Sequence, residues 1–157
     1  MLLAWEQLNG RSGHAVGRAL LEQLYLQKRG KKLPEIAETE RGKPYFVDSD
    51  LHFSISHSKN HAFCCLSDAP VGIDAEEMNR KINPRLAEKI LSSSEKMRFS
   101  ACQDQRLALL RFWVLKEASA KLSGQGLRGY PNQTDFDPDD PRIRIIDGCY
   151  VAVLEQK

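Results

Sequence analysis

Residues 51–77 read LHFSISHSKNHAFCCLSDAPVGIDAEE. Over 51–57 the side chains alternate: Leu51, Phe53 and Ile55 face one way, His52, Ser54 and Ser56 the other. A period of two is the mark of a half-buried strand. SHSKN is a turn, HAFCCL a second strand, and SDAP leads into a third, VGIDAE. Three strands joined by short turns predict an antiparallel meander. Cys64 and Cys65 are neighbours, so on a strand they point to opposite faces.

Upstream, residues 13–29 carry Val16, Ala19, Leu20 and Leu24 at helical spacing, and Gly30 is a natural stop. A polar stretch runs to Gly42, and Lys43-Pro44 marks a turn or an extended entry. Downstream, residues 84–91 predict a short helix. Ser92 to Glu95 has capping-box spacing and opens another. The longest helix spans Gln105 to Ser123 and stops at Gly124. RIRII, Asp147-Gly148 and CYVAVLE form a hairpin signal. Helix, strands, helices, strands is the order of an α+β fold. It divides into residues 1–70 and 71–157, meeting near 68–72.

The chain has 157 residues, enough to bury a core in one unit of one or two small halves. Hydrophobic residues are 41% and charged residues 28%, an ordinary globular balance. A net charge of +2 gives no reason to expect a nucleic-acid partner. No apolar run approaches the ~18 residues of a membrane span. The opening MLLAWEQLNG lacks the basic segment of an export signal, so a cytoplasmic protein is expected. Cys64, Cys65, Cys102 and Cys149 show no C-x-x-C spacing and read as free thiols, not a zinc site.

Asp74 and Glu76 sit at i and i+2, with backbones ~6.6 Å apart on one strand face. Two anions that close are uncomfortable away from water. They suit either a solvated acidic rim or one hard cation such as magnesium. Gly72, on the same face, leaves room for a ligand or another backbone. In the long helix, Trp113, Glu117 and Lys121 share one face at i, i+4 and i+8. A Glu–Lys pair at that spacing is also a common surface device worth ~0.2–0.5 kcal/mol, and Trp113 alone reads as core. Lys43 precedes a rigid proline. Ser56, His57 and Ser58 end a strand with donors for phosphate oxygens. His14, His52 and His61 read as structural, and Glu77 points to the other face of its strand.

Taken in order, GKP, FSISHS, VGIDAE and FWVLKEASAK resemble the motifs of the 4′-phosphopantetheinyl transferases, in particular the two-half type that activates surfactin synthetase. The resemblance runs from Arg11 to Gly126. It implies two similar α/β halves related by a pseudo-two-fold, each a small antiparallel sheet packed with helices. It implies transfer of the phosphopantetheine arm of coenzyme A to a serine of an apo acyl or peptidyl carrier protein, releasing adenosine 3′,5′-bisphosphate. The positions matching the family's metal ligands are Asp74, Glu76 and Glu117, for magnesium with manganese as the alternative. Lys121 matches the lysine that contacts the phosphates. Lys43, Ser56 and His57 match the nucleotide end, and Arg11 more loosely a 3′-phosphate contact. Glu117, directly or through a water it positions, is the expected base.

The acceptor implied is acidic. Residues 80–98 hold Arg80, Lys81, Arg85, Lys89, Lys96 and Arg98 against Glu88 and Glu95, a charge pattern that can steer it, with Arg85 and Lys89 the chosen contacts. The resemblance favours a monomer, with neither nucleic acid nor membrane as partner. The chain is short for the type at both ends, so fewer coenzyme A contacts and an open C-terminal strand edge are expected. The same residues would also serve a magnesium-dependent hydrolase of coenzyme A or a related pyrophosphate.

Overall fold

A computed structural model describes residues 1–126 and 134–156. The chain begins with strand β1 (Leu2–Gln7) and helix α1 (Gly13–Arg29), followed by two short strands, β2 (Ile36–Glu38) and β3 (Pro44–Phe46). Then come β4 (His52–His57), β5 (His61–Ser67) and β6 (Val71–Glu77). Helices α2 (Leu86–Ile90), α3 (Ser93–Ser100) and α4 (Gln105–Ser123) follow, and β7 (Ile143–Ile146) with β8 (Cys149–Glu155) closes the described chain. The fold is α+β.

Local signals set the helix ends. Ser12 accepts a hydrogen bond from the Ala15 amide, and Asp104 from that of Leu107, each satisfying an orphan donor of the first turn. Ser92 and Glu95 complete the capping box that the sequence predicts. Gly124 ends α4 with φ at 69°, a left-handed conformation that glycine adopts without strain.

The predicted meander is corrected. β4 and β5 pair antiparallel, but β6 leaves them and pairs with β8. The reason is edge occupancy. β5 has β4 on one side and β1 on the other, giving the order β1-β5-β4. β1 lies in MLLAWEQLNG, a stretch the sequence reading left without a strand. β6 therefore starts a second sheet, ordered β6-β8-β7. β2 and β3 form a separate two-stranded ribbon where the sequence shows only a polar connection.

Three apolar clusters hold these layers. One lies under α1 and includes Leu20, Leu21, Tyr25, Phe53 and Cys64. A second surrounds α4, with Leu110, Phe112, Leu115, Tyr150 and Ala152. The third joins the sheets through Phe63, Cys65, Ile73, Ala75 and Val151. Cys64 and Cys65 thus serve opposite faces, as the alternation requires. All four cysteines are free thiols. Burial pushes Cys65 up to about 12 and Cys149 up to about 11, so neither is a thiolate at neutral pH.

Candidate active site

A cleft of about 780 Å³ lies where α1, the 36–44 segment, β4, β6 and α4 approach one another. β6 has one edge on β8. Its other edge is covered by side chains: Ser54 Oγ accepts from the Ile73 amide at 3.1 Å, and Ser56 Oγ from the Ala75 amide at 3.2 Å. Both serines are buried. The polar face of β4 is therefore a seam between sheets, and its hydroxyls replace a backbone ladder.

That seam sets Asp74. Ser56 Oγ donates to Asp74 Oδ1 at 2.8 Å, and Lys121 Nζ donates to the same oxygen at 2.8 Å. Asp74 Oδ2 is buried and has no hydrogen-bond partner. A buried carboxylate oxygen left unpaired is costly unless something else binds it.

Gly72 brings α4 to this place. A Cβ there would collide with Ala118 O and sit 2.5 Å from Leu122 N. The room left by the missing side chain is filled by helix backbone. One face of α4 then looks into the cleft, and Trp113, Glu117 and Lys121 all line it, with Asp74 and Glu76 opposite. The three carboxylates crowd one another. Burial first, then the Asp74 charge, pushes Glu117 up to about 7, against the pull of Lys121. Glu76 is likewise raised, by burial and by Asp74, with Arg80 acting the other way.

Arg80 forms an ion pair with Glu76 and lies over the Trp113 ring, 5.8 Å from its centroid. Trp113 packs on the α4 core with one side and lines the cleft with the other. Sequence reasoning placed Arg80 only in a basic surface, because it sits in a polar turn past the strand. Its four-residue spacing from Glu76 is the signal that could have found it.

The remaining predicted residues divide. Lys43 lines the cleft, and its ammonium donates to Leu122 O at 2.6 Å, capping the end of α4; burial lowers its pKa. Ser56 lines the cleft with its hydroxyl committed to Asp74. His57 is exposed at the rim, its ring 5.4 Å from that of His14. Gly13 makes room for it, since a Cβ there would meet the His57 ring at 2.7 Å. Arg11 is not gathered with the others. Its guanidinium reaches Glu6 at 2.6 Å and the Gln7 carbonyl at 2.7 Å, outside the cleft lining. Glu77 faces away, accepting from the Asn60 amide at 2.7 Å and from Ser58 Oγ at 3.2 Å. Arg85 and Lys89 are exposed around α2.

One further pair escaped the sequence reading. Lys116, the neighbour of Glu117, is buried and reaches Glu95 Oε2 and Thr134 O, each at 2.7 Å. Its signal was a lysine directly after the apolar run FWVL, on a helix whose neighbouring positions are core.

Among the described residues, no group of three or more His, Cys, Asp or Glu side chains is drawn together tightly enough to hold a metal ion. The donor set is nonetheless of the oxygen type that hard cations take, and Asp74 Oδ2 is a buried oxygen without a hydrogen-bond partner.

Residues 70–149 match the profile of the 4′-phosphopantetheinyl transferase superfamily, about half the chain. The chain belongs to this superfamily. The matched segment contains Asp74, Glu76, Arg80, Glu117 and Lys121. Transferases of the superfamily similar to this chain include gsp of Aneurinibacillus migulanus, 37% identical over 92 residues, covering 57% of this chain and 38% of gsp. The 4′-phosphopantetheinyl transferase psf-1 of Bacillus pumilus is 36% identical over 59% of this chain and 41% of its own. The 4′-phosphopantetheinyl transferase of Bacillus subtilis is 35% identical over 73% of this chain and 49% of its own. The chain thus spans half or less of the length of these relatives. Among its described residues, no helix is long and apolar enough to cross a membrane.

Proposed function

We propose that the protein transfers the 4′-phosphopantetheine moiety of coenzyme A to a serine of an acidic apo carrier protein, acyl or peptidyl, releasing adenosine 3′,5′-bisphosphate. The observation that carries this reading is the meeting of Asp74, Glu76, Glu117 and Lys121 in one cleft, with one Asp74 oxygen buried and unpaired. Residues 1–70 would serve as a nucleotide-binding half and 71–157 as the half bearing the acidic site, with the protein acting as a monomer.

In this reading Asp74, Glu76 and Glu117 would hold Mg²⁺, or Mn²⁺ in its place. The ion would neutralise charge on the pyrophosphate oxygens. Lys43, Ser56 and His57 bind the nucleotide end, with Arg11 as an outlying contact for the 3′-phosphate. Lys121 faces the charge that develops as the serine oxygen bonds to the phosphorus bearing the pantetheine arm and the bisphosphate oxygen departs. The serine proton needs an acceptor near neutrality. Glu117, directly or through a water it positions, is the acceptor in this reading. Arg85 and Lys89 present positive charge to the carrier.

The test is incubation with coenzyme A, Mg²⁺ and a panel of apo carrier proteins, followed by intact mass. One carrier at least should gain a single phosphopantetheine, with bisphosphate released only when it is present. No gain on any carrier, or bisphosphate released from coenzyme A alone, overturns the proposal.

A further inference from the structure

Two of the cleft's side-chain cations act on the acidic group of Asp74, Glu76 and Glu117, and they are not placed alike. Lys121 comes from α4 and holds Asp74 together with Ser56. Arg80 comes from the turn after β6 and holds Glu76, to which Trp113 also hydrogen-bonds. Its backbone is fixed. The Arg80 amide donates to Glu77 O at 2.9 Å, and Arg106 donates to Met78 O at 2.6 Å and to Arg80 O at 3.3 Å. Its side chain is not: it is 40% exposed, while its partner Glu76 is 18% exposed. Its guanidinium rests on the Trp113 ring, a surface on which a planar cation can turn without losing its support.

We propose that Arg80 is an exchangeable counter-ion, pairing with Glu76 when no substrate is bound and turning on Trp113 to a phosphate oxygen when Glu76 is taken up by a divalent cation. The proposal rests on the transferase reading and adds a substrate-binding residue to it. Its logic is charge. At the acidic group three carboxylates, Asp74, Glu76 and Glu117, neighbour two side-chain cations, Arg80 and Lys121, and a divalent ion reverses that local balance; Arg18, Arg41 and Lys43 line the cleft beyond it. A freed guanidinium then has an anion to meet, and its fork fits a phosphate through two parallel N–H donors. Exchange costs little, because a partly exposed ion pair contributes only ~0–1 kcal/mol.

Exchange predicts effects of opposite sign. Arg80 competes with the cation for Glu76 and attracts the anion. In Arg80→Ala, Mn²⁺ alone, titrated calorimetrically, should bind about 2- to 5-fold more tightly, roughly the worth of the lost pair. Coenzyme A, titrated at saturating Mn²⁺, should bind about 10-fold or more weakly. Arg80→Lys should keep the competition with Mn²⁺ yet lose part of the coenzyme A affinity, because an ammonium lacks the fork. Thermal melts of each variant without ligands confirm folding. Mn²⁺ affinity that is unchanged or weaker in a folded Arg80→Ala overturns the exchange, as does unchanged coenzyme A affinity. If the wild-type protein binds no coenzyme A and loads no carrier, the transferase reading itself fails, and the phosphate half of the proposal with it. The Mn²⁺ titration needs no coenzyme A and still decides whether Arg80 competes for Glu76.

Discussion

The sheets β1-β5-β4 and β6-β8-β7 are wired alike: a strand, a helix, then a hairpin whose second strand takes the centre. The central strands begin at His61 and Cys149, which pair with Gln7 and Glu77. On that register Glu6 corresponds to Glu76, and Ala4 to Asp74. Each glutamate also pairs with a nearby arginine, Glu6 with Arg11 and Glu76 with Arg80. The difference is burial. Glu6 is 47% exposed and Glu76 18%. The glycines tell the same story from the other side. Gly17 of α1 makes room for the tip of Ile55, whereas Gly72 of β6 makes room for the backbone of α4. Helix α4 comes down backbone-close onto β6, whereas α1 packs on β1 and β5 through side chains, and it is at β6 that the carboxylates crowd. One topology therefore yields either a surface ion pair or a buried acidic cleft, depending on how closely the helix approaches.

The sharpest way to break this comparison is at its centre. Asp74→Ala should reduce carrier loading by about 10²- to 10³-fold, the range seen when one preorganised electrostatic group is lost. Glu6→Gln, at the position corresponding to Glu76, should change it by less than about 3-fold. Equal losses measured by intact mass would mean that the buried cleft is not the site.

A smaller effect separates the two helix contacts. Gly72→Ala forces a methyl group into fixed helix backbone and should cost about 3 kcal/mol in urea unfolding, whereas Gly17→Ala meets only side-chain atoms, the Ile55 Cγ2 methyl first, and should cost about 1 kcal/mol. Similar costs would show that α4 can slide away from β6 as readily as a side chain yields.

The smallest effect is read in pH. Glu117 is pushed from the usual 4.5 up to about 7, so the folded protein holds its proton where the unfolded chain has lost it. That stabilisation is complete below about 4.5 and disappears as pH rises through about 7. In EDTA, the wild-type Tm should therefore fall relative to Glu117→Gln across this window, by a few degrees at most because the site is partly open to water. A constant difference from pH 4 to 8 would remove the case for Glu117 as a base near neutrality.

What the sequence revealed follows the range of the forces. The α4 boundaries, the capping box of Ser92 and the shared face of Trp113, Glu117 and Lys121 are local, and all were legible. The β6–β8 pairing was not, because β8 lies at the far end of the chain and no local pattern records that β5 already has two neighbours. β1 is a single short strand without a turn partner beside it. Asp74 and Glu76 were visible as a crowded pair, but the burial that distinguishes them from Glu6 comes from α4. Arg80 read as part of a basic surface and Lys116 drew no reading, since their partners depend on a turn and on a distant loop.

The buried Lys116–Glu95 pair has a mechanical consequence. Glu95 is held by the Ser92 and Phe136 amides, and Lys116 by Glu95 and the Thr134 carbonyl. One charge pair thus grips α4 from two different stretches of chain, one residue away from Glu117. A helix packed through apolar side chains can creep along its axis, because such contacts carry little directional preference. α4 cannot do so without pulling a buried ammonium off two oxygens. The pair works as a detent that fixes the axial position of the helix, and so the height at which Glu117 and Lys121 stand above β6.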